Sequence, residues 1–150
     1  MSKHEDANLI LKLYDLRRES VMREARAWFF NFNPQSVQDF VDVMVSDKSG
    51  YYRMVVSYWD MAASLVNHGA IDEQMFNDAN GEHLFVFSKV EPFLPELRTT
   101  FGAPQYLENL EKLTRRMPNI DERLTSMRER IKQWMALREQ RAAKAAGAEV

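Results

Sequence analysis

The chain has 150 residues, no cysteine and a formal net charge of −2, with 45% hydrophobic and 28% charged residues. That length and composition suit one domain with a real core, and they exclude disulfides, thiolate zinc sites and cysteine nucleophiles. Five glycines and five prolines are few for the turns of an all-β fold. The reading is therefore a single all-α domain over residues 1–150, a compact multi-helix bundle of about six to seven helices around one central apolar helix.

The N-terminal stretch MSKHEDANLILKLYDLRRE lacks a signal-peptide pattern, because Lys12 and Asp15 interrupt its apolar run. No window reaches the roughly 18 apolar residues of a membrane span, so a cytoplasmic protein without membrane association is expected. Ser2 and Glu5 have capping-box spacing. The first helix is predicted over His4–Phe30, with Leu9, Leu13, Leu16, Val21, Ala25 and Trp28 inward and Glu19–Arg23 as a favourable i, i+4 pair. Arg17, Arg18, Arg23 and Arg26 would suit an anion, but Asp15, Glu19 and Glu24 are interleaved with them, which favours a solvated face. The run WFFNF crowds Trp28, Phe29, Phe30 and Phe32, too many aromatics for one helix face. Together with Trp134 they are the candidate interface residues.

Asn33-Pro34 reads as an N-cap followed by an N1 proline and predicts a helix over Pro34–Val45, with Val37, Phe40, Val41 and Met44 inward. Tyr51–Asn67 is the central helix. Tyr51, Val55, Tyr58, Ala62 and Leu65 repeat at helical spacing, Met54, Met61 and Val66 widen that face, and Val56, Trp59 and Ala63 form another. A helix apolar on so much of its circumference belongs inside the molecule. One strip stays polar: Arg53, Ser57, Asp60, Ser64 and Asn67. Arg53 and Asp60 lie about 10 Å apart along the axis, so each calls for a partner from elsewhere, with Glu82, Glu91 and Arg98 the candidates.

Gly69 suits the left-handed position after that helix. Asp72 is the expected N-cap of a short helix over Glu73–Ala79, with Ile71 and Phe76 at hydrophobic-staple spacing. From Glu82 to Phe101 the period is again helical, but Pro92 and Pro95 demand a break near Glu91–Pro95. Further helices are predicted from Pro104 to about Met117 and, capped by Asn119, onward through a seam of Ile120, Leu124, Met127, Ile131 and Trp134. A frayed tail is expected from about 139.

Charge is uneven along the chain. Residues 1–114 carry 11 Lys/Arg and 17 Asp/Glu, whereas residues 115–144 carry 9 and 4. The basic last helix could meet nucleic acid through Arg115–Lys144, anionic lipid or an acidic protein surface, or it could neutralise the acidic body of its own chain or of a second copy. The three histidines, His4, His68 and His83, form no metal-ligand pattern, and no phosphate loop or nucleophile motif is present. His68 is best read as a cap on helix carbonyls, and Glu82 beside His83 as a complement to a helix N-terminus. No catalytic residue, metal or cofactor is assigned.

The runs LYDLRRESVMREARAWF and YRMVVSYWDMAASLVNHGAID, then F-x-x-x-x-G-E, resemble a group of small uncharacterised bacterial proteins of a domain-of-unknown-function type, over residues 13–111. The resemblance implies a helical fold and bacterial cytoplasm, and it carries no activity to transfer. Two functions remain in view. The first is a non-enzymatic interaction or scaffold module, self-associating or pairing with another protein. The second is a small-molecule-binding or enzymatic bundle with a central polar pocket built on Arg53, Ser57, Asp60, Glu82, Glu91 and Arg98.

Overall fold

A computed structural model describes residues 2–148. Among the described residues the chain is all helical, with nine α-helices and one 3-10 turn. They are α1 (Lys3–Arg17), α2 (Ser20–Asn31), α3 (Val37–Met44), α4 (Ser49–Asn67), α5 (Glu73–Ala79), α6 (Glu82–Val90), the 3-10 turn (Glu91–Phe93), α7 (Leu94–Thr100), α8 (Glu108–Arg115) and α9 (Ile120–Ala148). The helix α4 is the axis. It packs chiefly on α2 and α8, with α3 and α5 at its flanks, and α6 bridges α8 and α9. Tyr52, Val55, Val56, Trp59, Ala62, Ala63 and Val66 of α4 are buried, while Arg53, Met54, Ser57 and Met61 form its one exposed strip. Apolar side chains over most of one helix's girth thus make it the element that the others cover.

The count exceeds six or seven because two segments divide. The first predicted helix breaks at Arg18–Glu19, where Glu19 turns its carboxylate onto the Val21 and Met22 amides at 3.0 and 2.9 Å and caps α2. The carboxylate is committed to those amides, so the expected Glu19–Arg23 ion pair gives way to a cap. The break also rotates the inward face: Ile10, Leu13, Met22, Ala25 and Phe29 are buried, and Leu9, Leu16 and Val21 are exposed. The second division is the one the prolines demanded, with α6 passing through the 3-10 turn into α7.

Three start signals fail. Asn33–Gln35 stays outside any helix and α3 begins at Val37, with the Gln35 backbone amide donating to Asp39 Oδ2 at 2.7 Å. Residues 104–107 form turns, and α8 begins only after Leu107, which adopts φ 55°. Asn119 also takes φ 55°, outside the extended geometry of a side-chain N-cap. The expected frayed tail is helical through Ala148, although residues 139–148 are exposed.

Other local signals hold. Ser2 and Glu5 form both bonds of the capping box. Asp72 Oδ2 accepts the Met75 amide at 2.9 Å over a buried Ile71 and Phe76. Gly69, at φ 80°, completes a Schellman ending for α4, its amide donating to the Val66 carbonyl while Ala70 reaches Leu65.

Candidate functional site

The polar strip of α4 lines an open groove of about 720 Å³ together with Met44, Val56 and the 105–109 turn. Its residues are not joined to Glu82, Glu91 or Arg98. Arg53 donates from Nε to its own helix, at Ser49 Oγ, 3.2 Å away, and otherwise faces solvent. Asp60 Oδ1 accepts the Leu110 amide at 3.0 Å. Leu110 lies in the first turn of α8, whose own N-cap residue, Leu107, has no side-chain oxygen to offer. Asp60 therefore caps α8 from a different helix. Asn67 adds a bond from Nδ2 to the Asn109 carbonyl at 3.0 Å. The strip is in part a stitch between α4 and α8.

The remaining members of the expected polar cluster sit in three separate networks. Glu82, at the start of α6, accepts Arg26 Nε at 3.1 and 3.0 Å and Nη2 at 2.9 Å, and also accepts Trp59 Nε1 at 3.0 Å. This joins α2, α4 and α6, and the bond to Glu82 raises the Arg26 pKa further. Glu91 pairs with Arg115 at 2.9 Å and Arg128 at 3.4 Å, holding α9 against the 3-10 turn. Arg98 bonds Glu111 and the Tyr106 carbonyl, each at 3.0 Å. Each network ties two or more elements together, so the single central pocket expected from these six residues is not assembled. Among the described residues no three His, Asp or Glu side chains converge as a metal site.

Two buried groups escaped the reading of the sequence. Lys89 is buried, and its ammonium donates to the carbonyl oxygens of Phe29, Phe30 and Phe32 at 2.9, 2.9 and 2.6 Å. Burial pushes its pKa down to about 7. The three carbonyls, at the negative end of α2, act the other way and favour the charged form at neutral pH. A lone charge in the apolar run LFVFSKV was the available signal. His83 is fully buried between Trp59 and Phe76, with Nε2 3.0 Å from Asn77 Oδ1 and Nδ1 without a partner. Burial, then the charges of Arg123 and Arg17, lower its pKa to about 4, so at neutral pH the ring is uncharged. His68 is exposed, and its backbone rather than its ring ends α4.

The interface candidates divide. Phe29 is in the core, and Trp28 and Phe32 stack on each other at 5.2 Å and pack against it. Phe30 and Trp134 reach the surface, 39% and 60% exposed. They line a cleft of about 440 Å³ between α2 and α9, with Phe85, Met127, Ile131 and Met135 as its apolar floor and walls. Phe30 stacks on Phe85 at 5.5 Å, and the Arg138 guanidinium lies 4.8 Å above the Phe30 ring. Beyond this point α9 projects, with Leu137 55% exposed.

Fold and side chains define an all-helical domain that spends most of its buried polar groups on holding helices together and keeps an apolar cleft at one edge. The chain belongs to the DUF4760 family, described as a domain of unknown function, which matches residues 3–117. No curated protein and no solved structure matches it. The matched region ends at Met117, just before α9. No helix among the described residues is long and apolar enough to cross a membrane.

Proposed function

We propose that the protein is a non-enzymatic helical interaction module of the bacterial cytoplasm that pairs with a second copy of itself along α9. The supporting observation is the cleft beside Trp134: a large aromatic side chain, mostly exposed, at the rim of an apolar concavity that Phe30, Met127 and Ile131 extend. Contiguous apolar surface of this kind, rimmed here by Arg130 and Arg138, marks interaction sites on otherwise polar surfaces. Tryptophan and arginine are also the side chains that most often dominate binding energy.

Charge supports a like partner. The excess of Asp and Glu over residues 1–114 opposes the excess of Lys and Arg over 115–144, so the projecting part of α9, with Arg138, Arg141 and Lys144, is drawn to the acidic body of another copy. The location of α9 outside the matched family region fits an added pairing element.

Light scattering across a dilution series tests the proposal. The wild type should pass from dimer to monomer as it is diluted, and Trp134→Glu should weaken pairing by at least 30-fold, the size expected for a hot-spot tryptophan. Because Trp134 is largely outside the core, the variant should keep its helicity by circular dichroism. A wild type that is monomeric at every concentration would overturn the proposal.

A further inference from the structure

We propose that the corner between α1 and α2 is a pocket for the phosphate group of a small phosphorylated molecule, bound by Arg17, Arg18, Arg23 and Arg26 against the ring of Tyr14. These five residues line a concavity of about 390 Å³, and no carboxylate lines it.

The helix break creates this arrangement. In one continuous rod, interleaved acids would neutralise the arginines. With α1 ending at Arg17 and α2 starting at Ser20, the last arginines of one helix face the first arginines of the next. Two of the interleaved acids are diverted: Glu19 is bound to the Val21 and Met22 amides, and Glu24 accepts the Tyr51 hydroxyl at 2.8 Å. Asp15 is exposed on α1 and forms no ion pair among the described residues. Only Glu82 reaches a pocket arginine, and it is spent on Arg26. Arg17, Arg18 and Arg23 have no carboxylate partner among the described residues.

Arg17 is also held ready. Its guanidinium lies 5.1 Å from the Trp59 ring centroid and 5.3 Å from that of Tyr14, while Arg18 approaches the same Tyr14 ring at 5.9 Å. Arg17 Nε is shielded from solvent with no acceptor. Aromatic faces thus fix a guanidinium that no acid neutralises, at a concavity where like charges repel. A dianion relieves that repulsion, and planar guanidinium forks match phosphate oxygens two at a time. The volume lies within the range of small-molecule sites. It leaves room beside the phosphate for a small organic group against the exposed face of Tyr14.

Isothermal titration with pyrophosphate and with ribose 5-phosphate, at 50 and 300 mM NaCl, tests the assignment. The wild type should bind one equivalent, more weakly at the higher salt. Arg18→Ala/Arg23→Ala should lose at least tenfold in affinity, and Lys3→Ala/Lys112→Ala, exposed and outside the pocket, should lose nothing. Both pocket substitutions are at exposed side chains. With the repulsion removed, the ligand-free double variant should melt above the wild-type temperature, whereas a merely solvated face leaves it unchanged. No saturable binding of either probe at 50 mM salt would overturn the proposal. So would equal affinity in the Arg18/Arg23 variant, or binding only of an RNA oligomer.

Discussion

Lys89 Nζ stands 2.6 Å from the carbonyl oxygen of Phe32, in the stretch that leaves α2, and the same ammonium holds the carbonyls of Phe29 and Phe30. A helix leaves its last carbonyls without partners, and a cation at that end meets both the free acceptors and the dipole. Here the cation arrives from α6, through an apolar layer that contains Phe85, whose ring centroid is 4.7 Å from the ammonium. Lys89→Met keeps the apolar stem and removes every bond. Buried acceptors then lose their donor, at about 1–3 kcal/mol each where water cannot replace it. Partial solvation at Phe30 lowers the total, so the expected loss is about 3 kcal/mol. Urea denaturation at pH 7 measures it, and a change below 0.5 kcal/mol would show that the carbonyls are satisfied by solvent.

The same contact explains what the sequence could and could not say. Local signals were readable because their partners lie within four residues: Ser2 with Glu5, Asp72 with Met75, Gly69 after α4, and the prolines that break α6 from α7. The central position of α4 was readable from its apolar girth. Other helix ends are capped from a distance. Asp60 serves α8 across 50 residues, and Lys89 serves α2 across 57 to 60. No local pattern encodes such partners, so α8 appeared to begin at Pro104 and Asp60 to need an ionic partner. Glu19 misled for the opposite reason. An i, i+4 pair with Arg23 and a cap on α2 use the same carboxylate, and only the geometry of the break decides between them.

His83 should make the protein sensitive to mild acid. The unfolded histidine takes up a proton near pH 6.5, whereas the folded ring resists until about pH 4. Between these values the unfolded state holds more protons, so stability is full above about pH 6.5 and falls as pH is lowered. At pH 5 the loss is about 2 kcal/mol on this account. His83→Leu, of similar volume, should remove that part of the slope. The test compares urea midpoints of wild type and variant at pH 7.5 and 5.0, and parallel declines would sink it.

Glu82 should matter far more than Arg53, although both are charged residues of the expected cluster. Glu82 is only 25% exposed at its side chain and accepts from both Arg26 and the indole of the fully buried Trp59. Glu82→Ala leaves the indole N–H without an acceptor and the guanidinium with only the Arg17 carbonyl, 3.5 Å from Nη1, and the expected loss is about 2–3 kcal/mol. Asp60→Ala removes one cap from α8, at about 1 kcal/mol. Arg53→Ala removes a bond to Ser49 on an exposed strip and should stay within about 0.5 kcal/mol. The order Glu82, Asp60, Arg53 follows from how much each side chain leaves unsatisfied when it is removed, not from its charge. Chemical denaturation of the three variants checks the order. A double-mutant cycle between Arg26 and Glu82 should add a coupling of about 1 kcal/mol or more, since their bidentate bond is shielded on both sides. Additive losses in that cycle would mean that the Trp59 indole, and not Arg26, accounts for the effect of removing Glu82.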